Sequence, residues 1–179
     1  MACKTLTSLP LNSDCANNIG MIEKVYFWGS EATEEFVGNS TTWMVEALDA
    51  GTAPLEFGIP LNTGFYSETM ESNRETGNQN YTFTLTLRRN RRTAEASRAI
   101  TIMSEASRNL DFVIKDNNGY YIYVPALYVS GIEGGSGESR TDGSSYQLTI
   151  MGEQGRLAYF ISEADALEFI ATGSFSPAS

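Results

Sequence analysis

The chain has 179 residues, 41% of them hydrophobic, which is enough for one domain with its own buried core. Its formal net charge is −10, and residues 1–87 hold only 3 basic side chains against 11 acidic ones. Such a charge repels phosphate over a long range, so tight binding to nucleic acid is not expected.

No residue type or motif points to catalysis. The chain has no histidine, which excludes Ser-His-Asp and Cys-His arrangements and removes the commonest metal ligand. It also lacks the phosphate-binding loops G-x-x-x-x-G-K-[ST] and G-x-G-x-x-G. The acidic residues show no distinctive pairing of the kind that carboxylate-only enzymes use. We therefore expect no enzymatic activity, no cofactor and no metal site.

The cysteines and the apolar runs indicate the cellular compartment in which the protein is expected. Cys3 and Cys15 have no metal-ligand spacing and are expected to be free thiols in a reducing cytoplasm. No apolar run reaches the roughly 20 residues of a membrane span. The start of the chain, Met1–Thr5, lacks the apolar segment of a secretory signal. We expect a protein that is made in a cytoplasm and has no membrane contact.

The first sixty residues predict an arm and three strands. Residues 1–18 are polar and irregular, as in an N-terminal arm. Ile19–Trp28 is rich in β-branched and aromatic residues and predicts the first strand. Thr41–Leu48 and Leu55–Leu61 predict two more strands. The acidic stretch Ser30–Asn39 is expected to be a loop.

The middle of the chain changes from one periodicity to another. Asn62–Asn80 is polar and without periodicity, which predicts a long loop that is either functional or disordered. Tyr81–Arg88 alternates between apolar or aromatic residues and polar ones, as in a strand with one face on a core. Thr93–Asn109 predicts a helix, because its inward positions recur at intervals of four and three residues. These positions are Ala96, Ile100, Met103, Ser107 and Leu110.

A β-hairpin follows. Two apolar runs, Leu110–Lys115 and Tyr120–Val124, flank Asp116–Gly119, whose Asn and Gly residues are typical of a tight turn. The same four residues lack the spaced carboxylates of a calcium loop, so we interpret them as a turn. Pro125 predicts an edge or a bend in the second strand.

The C-terminal part predicts a loop, a strand and a helix. Gly131–Ser145 is rich in glycine and serine and predicts a mobile loop or a broad turn. Ser145–Met151 alternates and predicts a strand. Ser162–Asp165 has the S-x-x-D pattern of a capping box and begins a helix through Ala171, which Gly173 is placed to end. The predicted fold class is mainly β with one or two helices.

The one dense basic cluster is Arg88-Arg89-Asn90-Arg91-Arg92. Two interpretations of it stay open. In the first, the arginines bind phosphate or pair with acidic side chains of a neighbouring subunit. In the second, they are a solvated connection between a strand and a helix.

The order of these motifs resembles that of a known family. A Thr-rich alternating strand, an Arg-rich turn, a helix, a hairpin with Asp116-Asn-Asn-Gly-Tyr-Tyr121, a Gly-rich loop and Tyr146-Gln-Leu-Thr-Ile-Met-Gly-Glu153 follow one another. In this order they are similar to the tail-tube-like virion proteins of phages that infect Bacteroidetes bacteria, with crAss-like phage ring and tail proteins among the candidates. Asn17–Tyr26 also looks like the opening strand of that family. The similarity covers roughly residues 15–160.

The resemblance implies a tail-tube-like β-sandwich or barrel flanked by an α-helix, with subunits that join strand edges into a ring. It implies a virion protein of the tail or neck, assembled in the host bacterial cytoplasm and in contact with neighbouring tail or neck proteins. DNA would pass transiently and without sequence specificity through the lumen. The helix after residue 161 lies beyond the matched region. A stacked hexameric tube and a single connector ring, for example a dodecamer, therefore both stay open.

We predict three segments: an N-terminal arm (1–18), a tail-tube-like β domain (19–161) with a long loop at 62–80, and a short C-terminal helix and tail (162–179). The predicted function is that of a phage ring protein that forms a conduit for DNA. The alternative is a capsid decoration or a fibre-like adhesin that binds glycans. The predicted assembly contacts are Asn62, Tyr66, Arg74, Asn80, Arg88, Arg89, Arg91 and Arg92.

Overall fold

A computed structural model describes residues 20–60, 63–72, 79–105, 109–136 and 143–176. This part of the chain forms eleven β-strands and two α-helices, which confirms the predicted mainly β class. The helices are α1 (Ala94–Glu105) and α2 (Glu163–Thr172). The strands are β1 (Ile22–Gly29), β2 (Glu35–Asn39), β3 (Met44–Asp49), β4 (Leu55–Phe57), β5 (Phe65–Ser72), β6 (Gln79–Asn90), β7 (Leu110–Asp116), β8 (Tyr121–Gly135), β9 (Ser145–Gln154), β10 (Tyr159–Ile161) and β11 (Ser174–Phe175).

The strands form one mixed sheet that folds into two layers and does not close into a barrel. The large layer has the order β3-β10-β8-β7-β1-β4. β11 pairs with the same edge of β3 as β10 but near the other end of that strand, and β2 pairs along the opposite edge. The second layer, here called the four-stranded layer, has the antiparallel order β5-β6-β9-β8. β8 belongs to both layers, because residues 121–127 pair with β7 and residues 128–135 pair with β9.

β8 bends where it passes from one layer to the other. Ala126 has a φ of +54°, and the registers of the β7–β8 and β8–β9 ladders both shift close to it. The N–H of Ala126 donates to Asp111 Oδ1 at 2.8 Å, which holds the backbone in this conformation. Bulges of this kind turn a strand in a new direction, and the bend that Pro125 predicts is confirmed.

The β7–β8 hairpin has the predicted turn. Gly119 has a φ of +87°, the left-handed region that glycine enters without steric cost. Its N–H donates to the carbonyl of Asp116 at 3.1 Å, and Asp116 Oδ1 accepts the N–H groups of Asn118 and Tyr120 at 3.0 and 2.8 Å. The turn is therefore a three-residue loop fixed by an aspartate and a glycine.

Two hydrophobic clusters stabilise the layers. The first lies between the two layers and under α1, and contains Phe83, Ile100 and Phe112. The second lies on the other face of the large layer, where Phe169 of α2 packs on Trp28 with ring centroids 5.0 Å apart. Because β7 lies between the two clusters, its first five residues are all buried.

The predicted caps of α2 are confirmed. Ser162 Oγ accepts the N–H of Asp165 at 3.2 Å at the start of the helix. At its end Gly173 has a φ of +90° and donates its N–H to the carbonyl of Phe169 at 2.7 Å. The strands predicted at β1, β3, β4, β6, β7, β8 and β9 and the helix predicted at α1 are confirmed, with ends that differ by a few residues.

Three predicted loops contain strands, so the loop predictions are wrong there. Ser30–Asn39 contains β2, Asn62–Asn80 contains the eight-residue β5, and Gly131–Ser145 begins with the last five residues of β8. β5 and β2 are edge strands with little burial, so no apolar alternation marks them. β10 and β11 are too short for a periodicity. The arm 1–18 with both cysteines, residues 73–78 and residues 137–142 lie outside the described residues.

Candidate assembly surfaces

Both edge strands of the four-stranded layer have a free side. Among the residues that the structure describes, β5 pairs only with β6, and residues 128–135 of β8 pair only with β9. A single bridge between Gly64 and Ile22 touches the large layer just before β5 begins. Unpaired N–H and C=O groups along an edge are a template for a further strand.

The two free edges are offset along the strand direction. β5 lies opposite residues 79–86 of β6. Across β9, residues 128–135 of β8 lie level with residues 84–90 of β6. The centres of the two edges therefore differ by about four to five residues, or ~15 Å at the usual rise per residue of a strand.

The core-facing side of the layer carries an exposed apolar side chain at each edge, although Glu68 of β5 also stands on this side, beside Phe83. Met70 on β5 stands beside Tyr81, and Ile132 on β8 stands beside the fully buried Leu148. Yet Met70 is 54% exposed and Ile132 is 42% exposed, because no strand lies beyond them. A strand added to either edge would cover these side chains and extend the core across the junction.

The opposite side of the layer is mostly polar and has no charged side chain between Arg88 and Glu153, but Phe65, Met151 and Tyr128 also stand on it. Because side chains alternate along a strand, every second residue of each strand faces this side. Hydroxyl and amide groups dominate it. They belong to Ser67, Thr69, Thr82, Thr84, Thr86, Gln147 and Thr149.

Arg89 of the predicted basic cluster has a structural partner. Its Nη1 donates to the carbonyl of Gly58, just after β4, at 2.9 Å. Arg89 also lines a groove of about 310 Å³ between α1 and β4, whose wall is largely apolar and includes Phe57 and Met103. The arginine thus connects the end of β6 to the loop after β4.

The other three arginines differ among themselves. The guanidinium of Arg92 lies 5.0 Å above the ring of Tyr146, whose hydroxyl hydrogen-bonds Ser97 Oγ at 2.6 Å. The hydrogen bond with Ser97 and the nearby Arg92 lower the pKa of Tyr146. Arg88 and Arg91 are exposed, and neither side chain has an ion pair or hydrogen bond with another described residue. These two arginines are therefore free to meet another molecule.

Tyr66 supports β5 rather than presenting a free polar group. Its ring stacks on Phe83 with centroids 6.4 Å apart, and its hydroxyl donates to Glu68 Oε1 at 2.5 Å. Burial, and then the carboxylate of Glu68, raise the pKa of Tyr66 well above its ordinary value.

Asn80 also bonds within the layer, because its Nδ2 donates to Glu153 Oε2 at 2.9 Å. Asn62 and Arg74 lie outside the described residues. The sequence reasoning missed the edge residues Met70 and Ile132. The signal for them would have been an apolar side chain inside a stretch that is otherwise polar or glycine-rich.

A buried polar network lies in the large layer. Asp111 is 1% exposed, and its Oδ2 accepts the hydroxyls of Thr33 and Tyr123 at 2.8 and 2.9 Å. Trp28 Nε1 donates in turn to Thr33 Oγ1 at 2.9 Å, and Ala126 N–H reaches the second carboxylate oxygen. Burial, and then the charge of Asp111, raise the pKa of Tyr123 well above its ordinary value. The network fixes the bend of β8 and so the relative placement of the two layers.

Comparisons with known proteins give little further direction. No protein-family model and no curated protein matches the sequence. One solved structure with some similarity is a chain of the "virion of native gene transfer agent (GTA) particle". Its TM-score is 0.40 at 14% sequence identity, over 60% of this chain and 89% of that chain. A similarity of this size does not establish a relationship.

Two further features are absent from the described part of the chain. No helix in it is long and apolar enough to span a membrane. Its acidic side chains form no group of three or more that is placed to hold a metal ion.

Proposed function

We propose that this chain is a phage virion structural protein, a subunit that closes into a ring in the tail or neck and forms a conduit for DNA. The observation that carries the proposal is the pair of free, offset edges on an antiparallel layer of four strands. The order of the sequence motifs supports the same function. In this proposal the rings assemble in the host cytoplasm and contact other tail or neck proteins.

An even number of strands suits a cyclic ring. Because the layer has four antiparallel strands, β5 and residues 128–135 of β8 run in opposite directions. Cyclic symmetry preserves these directions, so the β8 edge of one subunit meets the β5 edge of the next in antiparallel pairing. The same junction repeats around the ring and leaves no edge of the four-stranded layer exposed.

The offset of the edges sets the tilt of the strands. For the two edges to lie side by side, neighbouring layers must shift by ~15 Å along the strands over a layer width of ~19 Å. That ratio corresponds to a strand tilt of about 40°, within the range of roughly 35–45° at which closed barrels form.

The same geometry relates subunit number to diameter. Six subunits supply about 24 strands, and at ~4.8 Å spacing and ~40° tilt the backbone ring is about 48 Å across. Side chains reduce the opening by about 10 Å, and a DNA duplex passes through what remains. Twelve subunits would double the backbone diameter. Of these two numbers, six encloses DNA more closely, so a close-fitting conduit favours six subunits over twelve.

The polar side of the layer suits the lumen. In this proposal the large layer, on which the core-facing side packs, lies on the outside of the ring, and the side that carries Thr82, Thr84 and Thr86 faces the interior. Hydroxyl groups form no ion pairs with phosphate. A moving polyanion therefore finds no series of lysines or arginines along this belt that would hold it.

The test is the assembly state of the purified protein and of edge variants. We expect rings of uniform subunit number in electron micrographs and by native mass spectrometry. Lysine at both edges, Met70→Lys with Ile132→Lys, places a charge where each junction would be buried and should give folded monomers. The matched control is Leu167→Lys, since Leu167 is also 54% exposed but lies on α2. This variant should still form rings.

Other outcomes would count against the ring. Wild-type protein that stays monomeric or trimeric at high concentration would refute the proposal, and a trimer that binds glycans would favour an adhesin. Rings of the edge variant equal to those of wild type would show that closure uses a different surface.

A further inference from the structure

The groove between α1 and β4 runs along an edge of the large layer. Its volume is about 310 Å³, at the lower end of the range of roughly 300–1,000 Å³ that is usual for ligand pockets. All three residues of β4, Leu55, Glu56 and Phe57, line it. Because side chains alternate between the two faces of a sheet, a groove that consecutive residues line must follow the edge of the strand.

The backbone along this edge is unpaired in the part of the chain that the structure describes. β4 pairs only with β1, along its other edge. Leu55 stands beside Phe27, which packs on the first hydrophobic cluster, yet Leu55 is 64% exposed. A strand added here would pair with the N–H and C=O groups of β4 and cover this side chain.

The wall that α1 contributes leaves room for side chains. Ala96, Ala99, Ile100 and Met103 line the groove at the spacing of one face of a helix. Ile100 and Met103 are buried in the first cluster, whereas Ala96 is half-buried and Ala99 is exposed. The two small side chains therefore keep the groove open toward the start of α1.

Arg89 lies where β4 ends. Its Nη1 bonds the carbonyl of Gly58 at 2.9 Å, and the guanidinium has no ion pair with another described residue. Arg89 therefore keeps N–H donors that a carboxylate can accept. The same hydrogen bond places the guanidinium at the point where a ladder with β4 would continue past Phe57, so an added strand ends there.

We infer that this groove is a docking site for the C-terminal end of another protein. The end of that chain lies as an extended strand beside β4, with its terminal carboxylate on Arg89 and an apolar side chain between Leu55 and Ala99. Backbone hydrogen bonds hold such a strand, and the pocket and the charge select it. Because its carboxyl end lies beside Gly58, the strand runs parallel to β4. The site uses neither free edge of the four-stranded layer, so it does not depend on the ring function.

The other charges of the groove restrict what binds. Glu95 also lines it and has no ion pair with a described residue, and Glu56 lies 3.9 Å from Lys24. With one arginine and two glutamates, the lining does not attract anions over a long range. Selection of a carboxylate therefore depends on direct contact with Arg89, and removal of the charge of Glu95 should strengthen it.

Short synthetic peptides provide the test. The probes are pentapeptides labelled with fluorescein at the N-terminus, with Val, Leu, Ile or Phe as the last and third-to-last residues. Each is made with a C-terminal carboxylate and with a C-terminal amide. We expect at least one acid peptide to bind wild-type protein with a dissociation constant of about 100 µM or lower, and its amide to bind about tenfold more weakly or worse. A third form, an amide with an internal Asp, should bind like the amide.

Variants assign the contacts. Arg89→Gln should remove the difference between acid and amide. Ala99→Phe fills the groove and should weaken the binding of both forms about tenfold or more. Glu95→Gln should strengthen the binding of the acid peptide alone, by roughly twofold to threefold. The matched control Arg98→Gln removes an exposed arginine of α1 that does not line the groove, and it should bind like wild type.

Fluorescence anisotropy gives the affinities, and circular dichroism shows that each variant is folded. The docking site is refuted if no acid peptide binds at up to about 1 mM, if acid and amide bind equally, or if Ala99→Phe binds like wild type. An internal Asp that replaces the terminal carboxylate without loss would contradict a chain end as the occupant. If Arg89→Gln does not fold, Arg89→Lys takes its place and should reduce the preference for the acid, since lysine lacks the paired donors. The absence of rings would refute the ring function without affecting any of these measurements.

Discussion

The Asp111 network provides the strongest test of how the two layers are held together. Replacing Asp111 with alanine removes the acceptor for three donors, the hydroxyls of Thr33 and Tyr123 and the N–H of Ala126. The carboxylate is 1% exposed, so water does not readily replace it. Each buried donor that loses its partner costs roughly 1–3 kcal/mol. We expect the free energy of unfolding to fall by about 4 kcal/mol.

The substitution Asp111→Asn separates the loss of hydrogen bonds from the loss of side-chain volume. Asp111→Asn keeps the shape and one acceptor oxygen, but turns an amide NH₂ toward at least one donor. We expect a smaller loss of about 2 kcal/mol. Tyr123→Phe removes one donor and should cost about 1 kcal/mol on its own. In the Asp111→Ala background Tyr123→Phe should cost less, because there the hydroxyl has already lost its acceptor.

Urea unfolding monitored by tryptophan fluorescence is the appropriate assay, because Trp28 donates to Thr33 within the network. The measurement belongs in the Met70→Lys and Ile132→Lys background, so that assembly does not contribute to the apparent stability. Glu56→Gln, which weakens an exposed ion pair with Lys24 at 3.9 Å, is the control and should change stability by less than about 0.5 kcal/mol. An Asp111→Ala protein as stable as the control, or an asparagine variant more stable than the parent, would refute the reasoning.

Three further predictions concern pH, a cap and the second cluster. Folding raises the pKa of Tyr66 and of Tyr123, so the unfolded chain loses these protons first as the pH rises above 10. The free energy of unfolding is therefore complete below pH 10 and should fall by about 3 kcal/mol by pH 11. Urea denaturation at pH 9 and 11 would show this loss, and it should be smaller in Tyr66→Phe and in Tyr123→Phe. Gly173→Ala puts a Cβ at a φ of +90° and 2.4 Å from backbone carbon, and should cost about 2 kcal/mol or more in thermal unfolding. Phe169→Ala removes a fully buried ring and should lower the free energy of unfolding by about 3–5 kcal/mol. The control Leu167→Ala changes an exposed side chain of the same helix and should lower it by less than about 0.5 kcal/mol. Equal losses in the two variants would contradict the packing role of α2.

The elements that the sequence predicts well are those whose environment differs between two faces. β6 alternates because Phe83, Leu85 and Leu87 are fully buried while Thr82 and Thr84 face away from the core. α1 shows its period because Ile100 and Met103 are its buried residues. In both cases burial of one face imposes a periodic pattern of apolar residues, which can be recognised without knowing which element packs against that face.

The elements that the sequence does not predict lack this contrast. β5 is exposed or half-buried along its whole length, so its sequence shows no alternation of apolar and polar residues. The last part of β8 looks like a flexible glycine loop, but Gly134 lies against the ring of Tyr146. A Cβ there would come within 2.6 Å of that ring. Glycine at this position reflects close packing between strands, which only the pairing with β9 makes visible.

The candidate assembly surfaces combine both kinds of element, and this decides which part of the function the sequence could indicate. Arg88, Arg89 and the threonines of β6 belong to a strand with a clear pattern, and Arg91 and Arg92 follow it directly, so their position at the end of a strand was predictable. The ring argument, however, depends on how far β5 and β8 are displaced from each other, and that displacement is a property of two registers, β5 on β6 and β8 on β9. Had β5 paired two residues further toward the end of β6, the offset would fall to about half and the tilt to about 20°, too small for a closed barrel. A sequence change that shifts one register without unfolding the layer should therefore abolish rings while leaving the monomer folded.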